Sequence, residues 1–365
     1  MNVLHVLTTG ETGGIETLCR DYAQFSKHNN TFLVFYGKNG AVTRQMYQNG
    51  ADVIELDLPR GLCPETVKKV NRICKEKHID VIVVQHESPI THLVSFAVKL
   101  ENPGIRIVAY AHCFAKDMAR FHEKNGLFFR KIVLQFCLGR SAKVVAISEA
   151  VKHSLTEYFH TAPGKIQVVY NGVDLSRFER KMYSADRQPV QCIYVGRLIE
   201  EKGVQVILHN LANVPASVDY RLLIVGEGPY REELENLARN LKIDQKVQFL
   251  GVRKDVPMLL KEADVFLHMP VWEEGFGIAV VEAMASGVIP VCAKAGGIPE
   301  IISDGEDGFL VEKYSHTEAA AAICRIAEMH AEERNAFGLR ARAKARQFSI
   351  ELFAEKLDKV ISEAS

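Results

Sequence analysis

The sequence lacks several features that would each indicate a particular class of protein. No apolar run approaches the roughly 20 residues that a membrane-spanning helix needs, and residues 1–7 have no basic region like that of a signal peptide. The eight cysteines are scattered and form no C-x-x-C pair, which is typical of reduced thiols in a cytosolic protein. We therefore expect a cytoplasmic protein.

The motifs of several common catalytic sites are also missing. There is no D-x-D, no cluster of histidine and cysteine at metal-ligand spacing, no G-x-x-x-x-G-K-[ST] and no G-x-S-x-G. These absences argue against a metal-held nucleotide sugar, P-loop chemistry and serine hydrolysis. We expect neither a bound metal nor a cofactor, and no nucleic-acid partner.

Charge is balanced over the whole chain but not between its halves. Residues 1–180 carry 23 basic and 17 acidic side chains, whereas residues 181–365 carry 22 and 28. A basic first half suits an anionic partner, such as a membrane surface or a phosphorylated acceptor. Drift in composition accounts for the asymmetry equally well.

The order of secondary-structure patterns predicts an α/β fold. Six candidate strands lie between residues 3 and 147, five more lie between 191 and 292, and helical patterns alternate with them. Many of these strands are continuously apolar, as parallel strands covered on both faces are. With 365 residues, we expect two Rossmann-like, doubly wound domains: 1–177 and 189–348, joined by a polar linker at 178–188. An amphipathic helix, 349–365, follows.

Ligands of doubly wound sheets bind beyond the carboxyl ends of the strands, so the residues after each strand matter most. After the first strand, Gly13 and Gly14 open a helix whose exposed amides suit an anion or a hydroxyl-rich ligand, or they form only a tight turn. The surrounding T-T-G-E-T-G-G-I-E is not G-x-G-x-x-G, which disfavours a nicotinamide cofactor. His112, after the strand R-I-V-A-Y, either faces a ligand or is satisfied within the fold.

Two cations follow the first strand of the second half, in G-R-L-I-E-E-K-G at 196–203. Arg197 as a planar fork and Lys202 as a point charge can neutralise a diphosphate without a metal, although a solvated charged turn is the alternative. The later G-E-G-P-Y has Arg231 where a dinucleotide loop needs its third glycine, so we interpret it as a turn.

Two carboxylates lie eight positions apart in V-W-E-E-G-F-G-I-A-V-V-E-A-M-A-S-G, residues 271–287. Gly275 and Gly277 free the backbone amides at the start of a helix, where the positive end of the helix dipole lies. Glu274, in the loop, can accept hydrogen bonds from a polyol, and Glu282, on the helix, can bind a vicinal diol. Paired glutamates are common by chance, but the whole combination is not.

These segments resemble the retaining GT-B glycosyltransferases of the family-four type. The resemblance is carried by G-G-I-E at 13–16, G-R-L-x-x-x-K-G at 196–203, the E-x7-E stretch at 273–291, A-G-G-I-P-E-I-I at 295–302 and D-G-E-D-G-F-L-V at 304–311. It spans nearly the whole chain and is more specific in the second half. It implies two Rossmann-like domains facing a central cleft, with the C-terminal helix 349–365 packing back on the first domain.

The resemblance also implies roles for individual residues. Glu274 would lie by the donor sugar and its reacting carbon, and Glu282 would hold the ribose. Arg197 and Lys202 would stabilise the diphosphate leaving group, and His112 would lie near the transferred sugar, so the catalytic set is Glu274, His112, Arg197 and Lys202. Further donor contacts would come from Gly14, Val252, Arg253, Gly275, Phe276, Gly277 and Ile278. Acceptor contacts would come from Gly13, Glu16, His86 and His112.

The reaction so implied is the metal-independent transfer of a sugar from a nucleoside-diphosphate sugar, most often a uridine one, to a glycan or lipid-linked acceptor of envelope polysaccharide synthesis. No carboxylate stands out as a nucleophile on the opposite face, so we expect departure and attack on one face, with retention of configuration. A nucleotide-sugar epimerase, a glycosyl phosphorylase and a non-catalytic sugar-binding subunit are the alternatives.

A basic and aromatic stretch at 114–131 suggests where the acceptor is presented. Its basic side chains interleave with its phenylalanines: Lys116, Arg120, Lys124, Arg130 and Lys131 with Phe114, Phe121, Phe128 and Phe129. Such a segment can lie on an anionic membrane and place a lipid-linked acceptor, which predicts a peripheral position on the inner face of the membrane. The alternative is a helix with a solvated basic face and a buried aromatic stripe.

Overall fold

The chain forms two compact units. The computed structural model describes residues 1–11, 13–58, 63–86, 88–120, 127–183 and 189–364, without the side chains of 119, 120, 127 and 128. The first unit comprises Met1–Gly172 together with the C-terminal segment from Ile350, and the second is Val173–Ser349.

In the described ranges, the first unit holds a seven-stranded, all-parallel sheet in the order β3-β2-β1-β4-β5-β6-β7. Its strands are β1 Asn2–Leu7, β2 Asn29–Val34, β3 Asp52–Glu55, β4 Val81–Val84, β5 Arg106–Ala111, β6 Lys143–Ala146 and β7 Ile166–Val168. Its helices are α1 Gly14–Phe25, α2 Ala41–Gln48, α3 Pro64–Glu76, α4 Pro89–Glu101, α5 Ala115–Arg120, α6 Leu127–Arg140, α7 Glu149–Phe159 and, from the C-terminus, α15 Ile350–Ala364.

The second unit holds a six-stranded parallel sheet over the residues described, in the order β10-β9-β8-β11-β12-β13. Its strands are β8 Val190–Val195, β9 Tyr220–Val225, β10 Val247–Gly251, β11 Val265–His268, β12 Ile289–Ala293 and β13 Phe309–Val311. Its helices are α8 Val204–Ala212, α9 Arg231–Asn240, α10 Val256–Glu262, α11 Ile278–Ala285, α12 Ile298–Ile301, α13 Glu318–Glu328 and α14 Ala331–Ala345.

Burial explains why the central strands read as unbroken apolar runs. All four residues of β4 are fully buried, and so are all five of β12 apart from a trace of exposure at Ala293. A strand covered by helices on both faces has no solvent side and needs no alternation of polar and apolar residues. The predicted doubly wound α/β architecture is therefore confirmed.

The C-terminal helix α15 packs within the first unit. Its predicted apolar stripe is buried, and it comprises Ile350, Phe353, Leu357, Val360 and Ile361. On its polar side, the Tyr22 hydroxyl of α1 donates to Asp358 at 2.5 Å, and the backbone amide of Lys27 donates to the other carboxylate oxygen at 2.8 Å. A buried carboxylate with several donors fixes the helix on α1.

The linker expected at 178–188 does not join the units. Residues 184–188 lie outside the described residues, but Phe178, Lys181 and Tyr183 before them are buried in the second unit, and the units divide at Gly172–Val173 instead. Lys181 is 3% exposed and its ammonium lies 3.1 Å from the carboxylate of buried Asp264. Tyr183 is also buried, with its hydroxyl 3.0 Å from the Asp264 carbonyl oxygen. The polar, unpatterned composition of 178–188 led to the linker prediction, whereas Lys181 neutralises a buried acid.

In the part of the chain that the structure describes, no helix is both long enough and apolar enough to cross a membrane. None of the eight cysteines, all of them in described ranges, forms a disulfide.

The buried ion pair predicts a large stability effect. Lys181→Met removes one partner and leaves Asp264 as an uncompensated buried charge, which we expect to lower the free energy of unfolding by about 3–5 kcal/mol. Denaturant unfolding of the purified protein measures this. The matched control is Lys261→Met, which removes an exposed lysine paired with Glu179 and should leave the midpoint nearly unchanged. Equal midpoints for the two variants would contradict the assignment.

Candidate functional site

The strongest cluster of candidate residues lies at the carboxyl ends of β8 and β11. Lys202 comes from the turn after β8, and Glu274 comes from the loop after β11. The Lys202 ammonium lies 2.6 Å from Oε2 of Glu274. Nε2 of His268, the last residue of β11, lies 3.3 Å from the same oxygen. The structure therefore brings two predicted site residues together with one that the sequence analysis missed.

These contacts set the charge of the carboxylate. Burial would raise the pKa of Glu274, but the hydrogen bond from His268 and the charge of Lys202 hold it well below its usual range. Glu274 is therefore ionised at neutral pH. Its Oε1 accepts no hydrogen bond from any residue that the structure describes, so one oxygen faces the protein and the other remains for a ligand.

A glycine brings the two loops into contact. Gly203, directly after Lys202, has φ of +70°, and a Cβ built there would lie 1.6 Å from the carbonyl oxygen of Met269. The Val271 amide donates to the Glu201 carbonyl at 3.0 Å, which fastens the same two loops. Only glycine permits this approach, because a side chain at position 203 would need the room that the Met269 carbonyl occupies.

A second glycine seats the A-G-G-I-P-E loop against Glu274. Gly296 has φ of +55°, and a Cβ there would meet the Glu274 carbonyl oxygen at 2.1 Å. The Gly297 amide donates to that carbonyl at 2.8 Å, while the Gly296 amide donates to the Glu273 side chain at 2.6 Å. The backbone of Glu274 is thus held from the β12 side as well as from the β8 side.

Helix α11 begins directly behind this loop. Gly277 is its N-cap in a left-handed conformation, with φ of +113°. The Phe276 ring is buried against Phe348 at a centroid distance of 5.5 Å, so that side chain belongs to the core. Ile278 and Glu282 lie four residues apart on one partly exposed helix face. The E-x7-E motif therefore places one acid in the loop and the other on the helix, as predicted.

Arg197 lies at the end of β8 with its side chain exposed. Its guanidinium makes no hydrogen bond or ion pair with any part of the chain that the structure describes, whereas its carbonyl accepts from the Tyr194 hydroxyl at 3.0 Å. The predicted turn G-E-G-P-Y holds this loop, because the Leu198 amide donates to Glu227 at 2.9 Å and the Tyr230 amide donates to Leu198 at 3.0 Å. Arg197 thus has a fixed backbone and an available charge.

The predicted nucleobase neighbours follow β10. Val252 is 75% exposed, which is unusual for valine. Arg253 is paired with Asp255 through two hydrogen bonds of 2.8 and 2.6 Å. The arginine is therefore held by a local acid, and Val252 offers an open apolar surface.

In the first unit, the residues predicted for the acceptor form a compact pair. Glu16 of α1 accepts from the Thr9 hydroxyl at 3.1 Å and lies 3.3 Å from Nε2 of His86, which follows β4. The Thr8 amide donates to Nδ1 of His86 at 3.1 Å, so the proton is on Nε2 and points to Glu16. Burial opposes ionisation of Glu16, but the bonds from His86 and Thr9 lower its pKa.

The glycines that precede Glu16 also take the places expected of them. Gly13 is the N-cap of α1, and Gly14 is its first residue and is exposed. A Cβ on Gly13 would meet the Glu16 carboxylate at 2.2 Å, so this side chain folds back over the helix start.

His112, directly after β5, ends a chain of side-chain hydrogen bonds. Its Nε2 lies 3.2 Å from Oε1 of Gln85, the Gln85 amide nitrogen lies 3.0 Å from Nδ1 of His5, and His5 Nε2 lies 3.0 Å from Oδ1 of Asn30. The Asn30 side-chain amide donates to the His28 carbonyl, so Oδ1 of Asn30 is the acceptor for Nε2 of His5. Nδ1 of His5 then accepts from the Gln85 amide, which leaves Oε1 of Gln85 as the acceptor for His112. His112 therefore donates from Nε2.

Burial keeps the histidines of this chain neutral. It lowers the pKa of His5 to about 4 and that of His112 to about 3. Gln85, missed in the sequence analysis, is 2% exposed and links the two rings. Gln85 directly follows β4 and His268 ends β11, so their position at strand ends was visible in the sequence, whereas their partners were not.

Only part of the stretch 114–131 falls within the described residues. Residues 121–126 and the side chains of 119, 120, 127 and 128 lie outside them. On α6, Phe129 is 67% exposed, and Ile132 and Phe136 are each 48% exposed. The spacing puts these side chains on one helix face, so Phe129 is not part of a buried aromatic stripe, whereas Phe114 is half-buried.

Among the described residues, no group of three or more histidine, cysteine, aspartate or glutamate side chains is arranged to hold a metal ion.

Comparison with known proteins gives matches over both units. Residues 12–177 match the model of glycosyltransferase family 4, and residues 176–344 match that of glycosyl transferases group 1. The chain is 30% identical over 284 residues to the N-acetyl-alpha-D-glucosaminyl L-malate synthase of Bacillus anthracis, covering 75% of this chain and 72% of that relative. It is 31% identical to a putative colanic acid biosynthesis glycosyltransferase of Salmonella typhimurium, over 51% of this chain and 48% of the relative.

A solved structure shares the fold. Anabaena Alr3699/HepE in complex with UDP-glucose superposes with a TM-score of 0.83 and 24% identity, over 99% of both chains.

The contact at Gly203 predicts a loss of ligand binding through the backbone alone. We expect Gly203→Ala to displace the Lys202 loop from Met269, to destabilise the protein by about 1–3 kcal/mol, and to weaken the binding of nucleoside diphosphates by tenfold or more. The matched control is Gly305→Ala, because Gly305 has a similar φ of +75° but no atom within 4 Å of the new Cβ. Thermal unfolding and calorimetric titration measure both effects. If the two variants bind equally well, the loop contact does not position Lys202.

Proposed function

Because the chain belongs to the family of group 1 glycosyltransferases, with the GT-B fold, we propose that it transfers a sugar from a uridine-diphosphate sugar to a hydroxyl group. The acceptor is a glycan or lipid-linked intermediate of envelope polysaccharide synthesis. The uridine nucleotide is supported by Alr3699/HepE, which was solved with UDP and with UDP-glucose. The polysaccharide role is supported by the similarity to a putative colanic acid biosynthesis enzyme.

One observation carries the proposal, and it is a pair of cations beside an acid in the second unit. The ionised carboxylate of Glu274, after β11, is paired with Lys202. Arg197, at the end of the adjacent strand β8, has no partner among the described residues. A diphosphate needs at least two compensating charges when it leaves a sugar. The guanidinium of Arg197 and the ammonium of Lys202 supply them, so no divalent ion is required. The transfer is therefore metal-independent.

The donor binds through groups that are already in place. Oε1 of Glu274 accepts a hydrogen bond from the sugar, and Glu282, on the partly exposed face of α11, holds the ribose. The amides of Gly275, Phe276 and Gly277 and the first turn of α11 at Ile278 lie at the positive end of the helix. Val252 and Arg253 lie beside the base.

In the chemical step, the bond between the anomeric carbon and the diphosphate oxygen breaks, and the leaving oxygen gains the electron pair. Arg197, Lys202 and the helix dipole stabilise that charge. The acceptor hydroxyl attacks from the face that the diphosphate leaves, so configuration is retained and the hydroxyl proton passes to the departing phosphate. Glu274 orients the sugar and forms no covalent bond to it.

The first unit binds the acceptor. Glu16 accepts hydrogen bonds from its hydroxyls, with His86 as the donor that keeps the carboxylate ionised, and Gly13 leaves room beside them. His112 is neutral, because burial lowers its pKa to about 3, so it serves as a hydrogen-bonding ring and not as a cation.

An anionic membrane surface presents the acceptor, with α6 as the contact. Phe129, Ile132 and Phe136 form its exposed apolar face. Arg140 lies 4.0 Å over the Phe136 ring, and Lys131 lies 4.2 Å over the Tyr158 ring, so positive charge flanks the apolar side chains. Aromatic and basic groups in this combination favour the headgroup region of anionic lipids. The protein would act on the cytoplasmic side, where free thiols persist.

Glu274→Gln tests the proposed chemistry. Loss of the negative charge should lower turnover about 100-fold or more, whereas the affinity for UDP stays within about threefold, since Lys202 remains available to the diphosphate. Sugar transfer is followed with UDP-sugars in the presence and absence of a chelator, and wild-type turnover should be the same in both.

The control for this experiment is Glu328→Gln, an exposed acid on α13. Wild-type turnover in Glu274→Gln would remove the acid from the mechanism, and loss of wild-type turnover on chelation would contradict metal independence.

Flotation with liposomes tests the membrane contact. The wild-type protein should float with vesicles that contain phosphatidylglycerol and not with pure phosphatidylcholine, and high salt should weaken the association. Phe129→Ala with Phe136→Ala, or Lys131→Glu with Arg140→Glu, should reduce the floated fraction severalfold. Leu100→Ala with Met258→Ala removes two exposed apolar side chains elsewhere and should not. Absence of binding at every salt concentration would exclude the contact.

A further inference from the structure

We propose that His268 is a positioning residue that holds the Glu274 carboxylate in place while Lys202 transfers from that carboxylate to the diphosphate of the donor. This inference rests on the proposed function, because it assumes that Lys202 binds a diphosphate.

The geometry gives Lys202 two competing tasks. Its ammonium lies 2.6 Å from Oε2 of Glu274, where it neutralises a carboxylate whose side chain is only 16% exposed. The same ammonium is required on the diphosphate, which carries more negative charge than one carboxylate. When the lysine moves, Glu274 loses a charge-assisted hydrogen bond in a poorly solvated position, and such a loss opposes ligand binding.

His268 is placed to supply a hydrogen bond to the Glu274 carboxylate when the hydrogen bond from Lys202 is lost. Its Nε2 lies 3.3 Å from Oε2, the very oxygen that the lysine occupies, so the carboxylate keeps one donor after the exchange. Its Nδ1 is buried without a hydrogen-bond partner among the described residues. A proton on Nδ1 would be a buried donor with nothing to bond to, which favours the tautomer with the proton on Nε2, facing Glu274.

The ring itself cannot move away easily. His268 ends β11, is 4% exposed, and lies roughly parallel to Phe266 at 6.1 Å and to Tyr194 at 6.3 Å between ring centroids. The Tyr194 hydroxyl in turn holds the carbonyl of Arg197. The aromatic side chains that fix the donor of Glu274 therefore also fix the backbone of the other cation.

Nucleotide affinity in a double-mutant cycle tests the role without relying on turnover. The probe is whichever of UDP, GDP and ADP binds the wild-type protein in calorimetry. We expect His268→Phe to weaken binding about tenfold. In this variant, transfer of Lys202 to the diphosphate leaves the Glu274 carboxylate with no hydrogen-bond donor. In a Glu274→Gln background no charge needs the donor, so the same substitution should change the affinity less than twofold.

Two further variants separate positioning from packing. His268→Gln keeps a donor near Oε2 and should recover affinity to within about threefold of wild type. His268→Met removes the donor without an aromatic ring and should behave like His268→Phe, which keeps the test valid if one variant folds poorly.

An equal loss of affinity in both backgrounds, or a loss below twofold in the wild-type background, overturns the role of His268 and leaves the proposed function intact. A wild-type protein that binds none of the three nucleotides overturns the proposed function, and this inference with it.

Discussion

The ion pair between Lys202 and Glu274 is the interaction on which the candidate donor site depends. The two residues lie 72 positions apart in the chain, and their ion pair joins the side chains of the loops after β8 and β11. A lysine on a turn has four flexible torsions, and a glutamate in a loop has no helix to orient it. Each becomes the constraint on the other, because opposite charges at 2.6 Å attract strongly in a partly desolvated setting.

That contact is possible only because the backbones meet first. Gly203 lets the Lys202 turn touch the Met269 carbonyl, and Gly296 lets the following loop touch the Glu274 carbonyl. Three loops, after β8, β11 and β12, are thereby joined through main-chain contacts at one end of the sheet. The main-chain contacts at the two glycines fix the distance between the loops, and the ion pair forms across that distance. A site on loops can be as rigid as one on strands when the loops are joined in this way.

Sequence patterns predicted most of the sheet, and they failed where the physical signal is short or non-local. The edge strands β7 and β13 were missed because three residues are too few to show a period. The second strand was predicted at residues 32–36, whereas β2 spans Asn29–Val34, because its first three residues are polar and join the sheet by pairing with β1 rather than by hydrophobicity. Lys181 was assigned to a linker because its partner, Asp264, lies 83 positions away in the chain.

The candidate site shows the same division. Glu274, Arg197 and Lys202 were chosen as candidates because they lie between a strand and the following helix, and Glu282 because it lies on the helix that begins after Gly277. Their pairing was not, because it depends on which loops touch. His268 was missed for a related reason: within F-L-H it reads as the end of a strand, and nothing local shows that its ring faces an acid from the next loop.

The two units carry different electrostatics, and each suits its proposed substrate. In the first unit the histidines of the hydrogen-bonded chain are uncharged, because burial lowers the pKa of His5 to about 4 and that of His112 to about 3. Among the residues proposed to bind the acceptor, the ionised group is Glu16. Neutral imidazole rings and a carboxylate can both form hydrogen bonds with hydroxyl groups. In the second unit the acid at the site is already neutralised by Lys202, so the available charge is the cation of Arg197. Under the proposed function, the guanidinium of Arg197 attracts the anionic nucleotide locally, although residues 181–365 carry more acidic than basic side chains, and the carboxylate of Glu16 binds the hydroxyl groups of the acceptor.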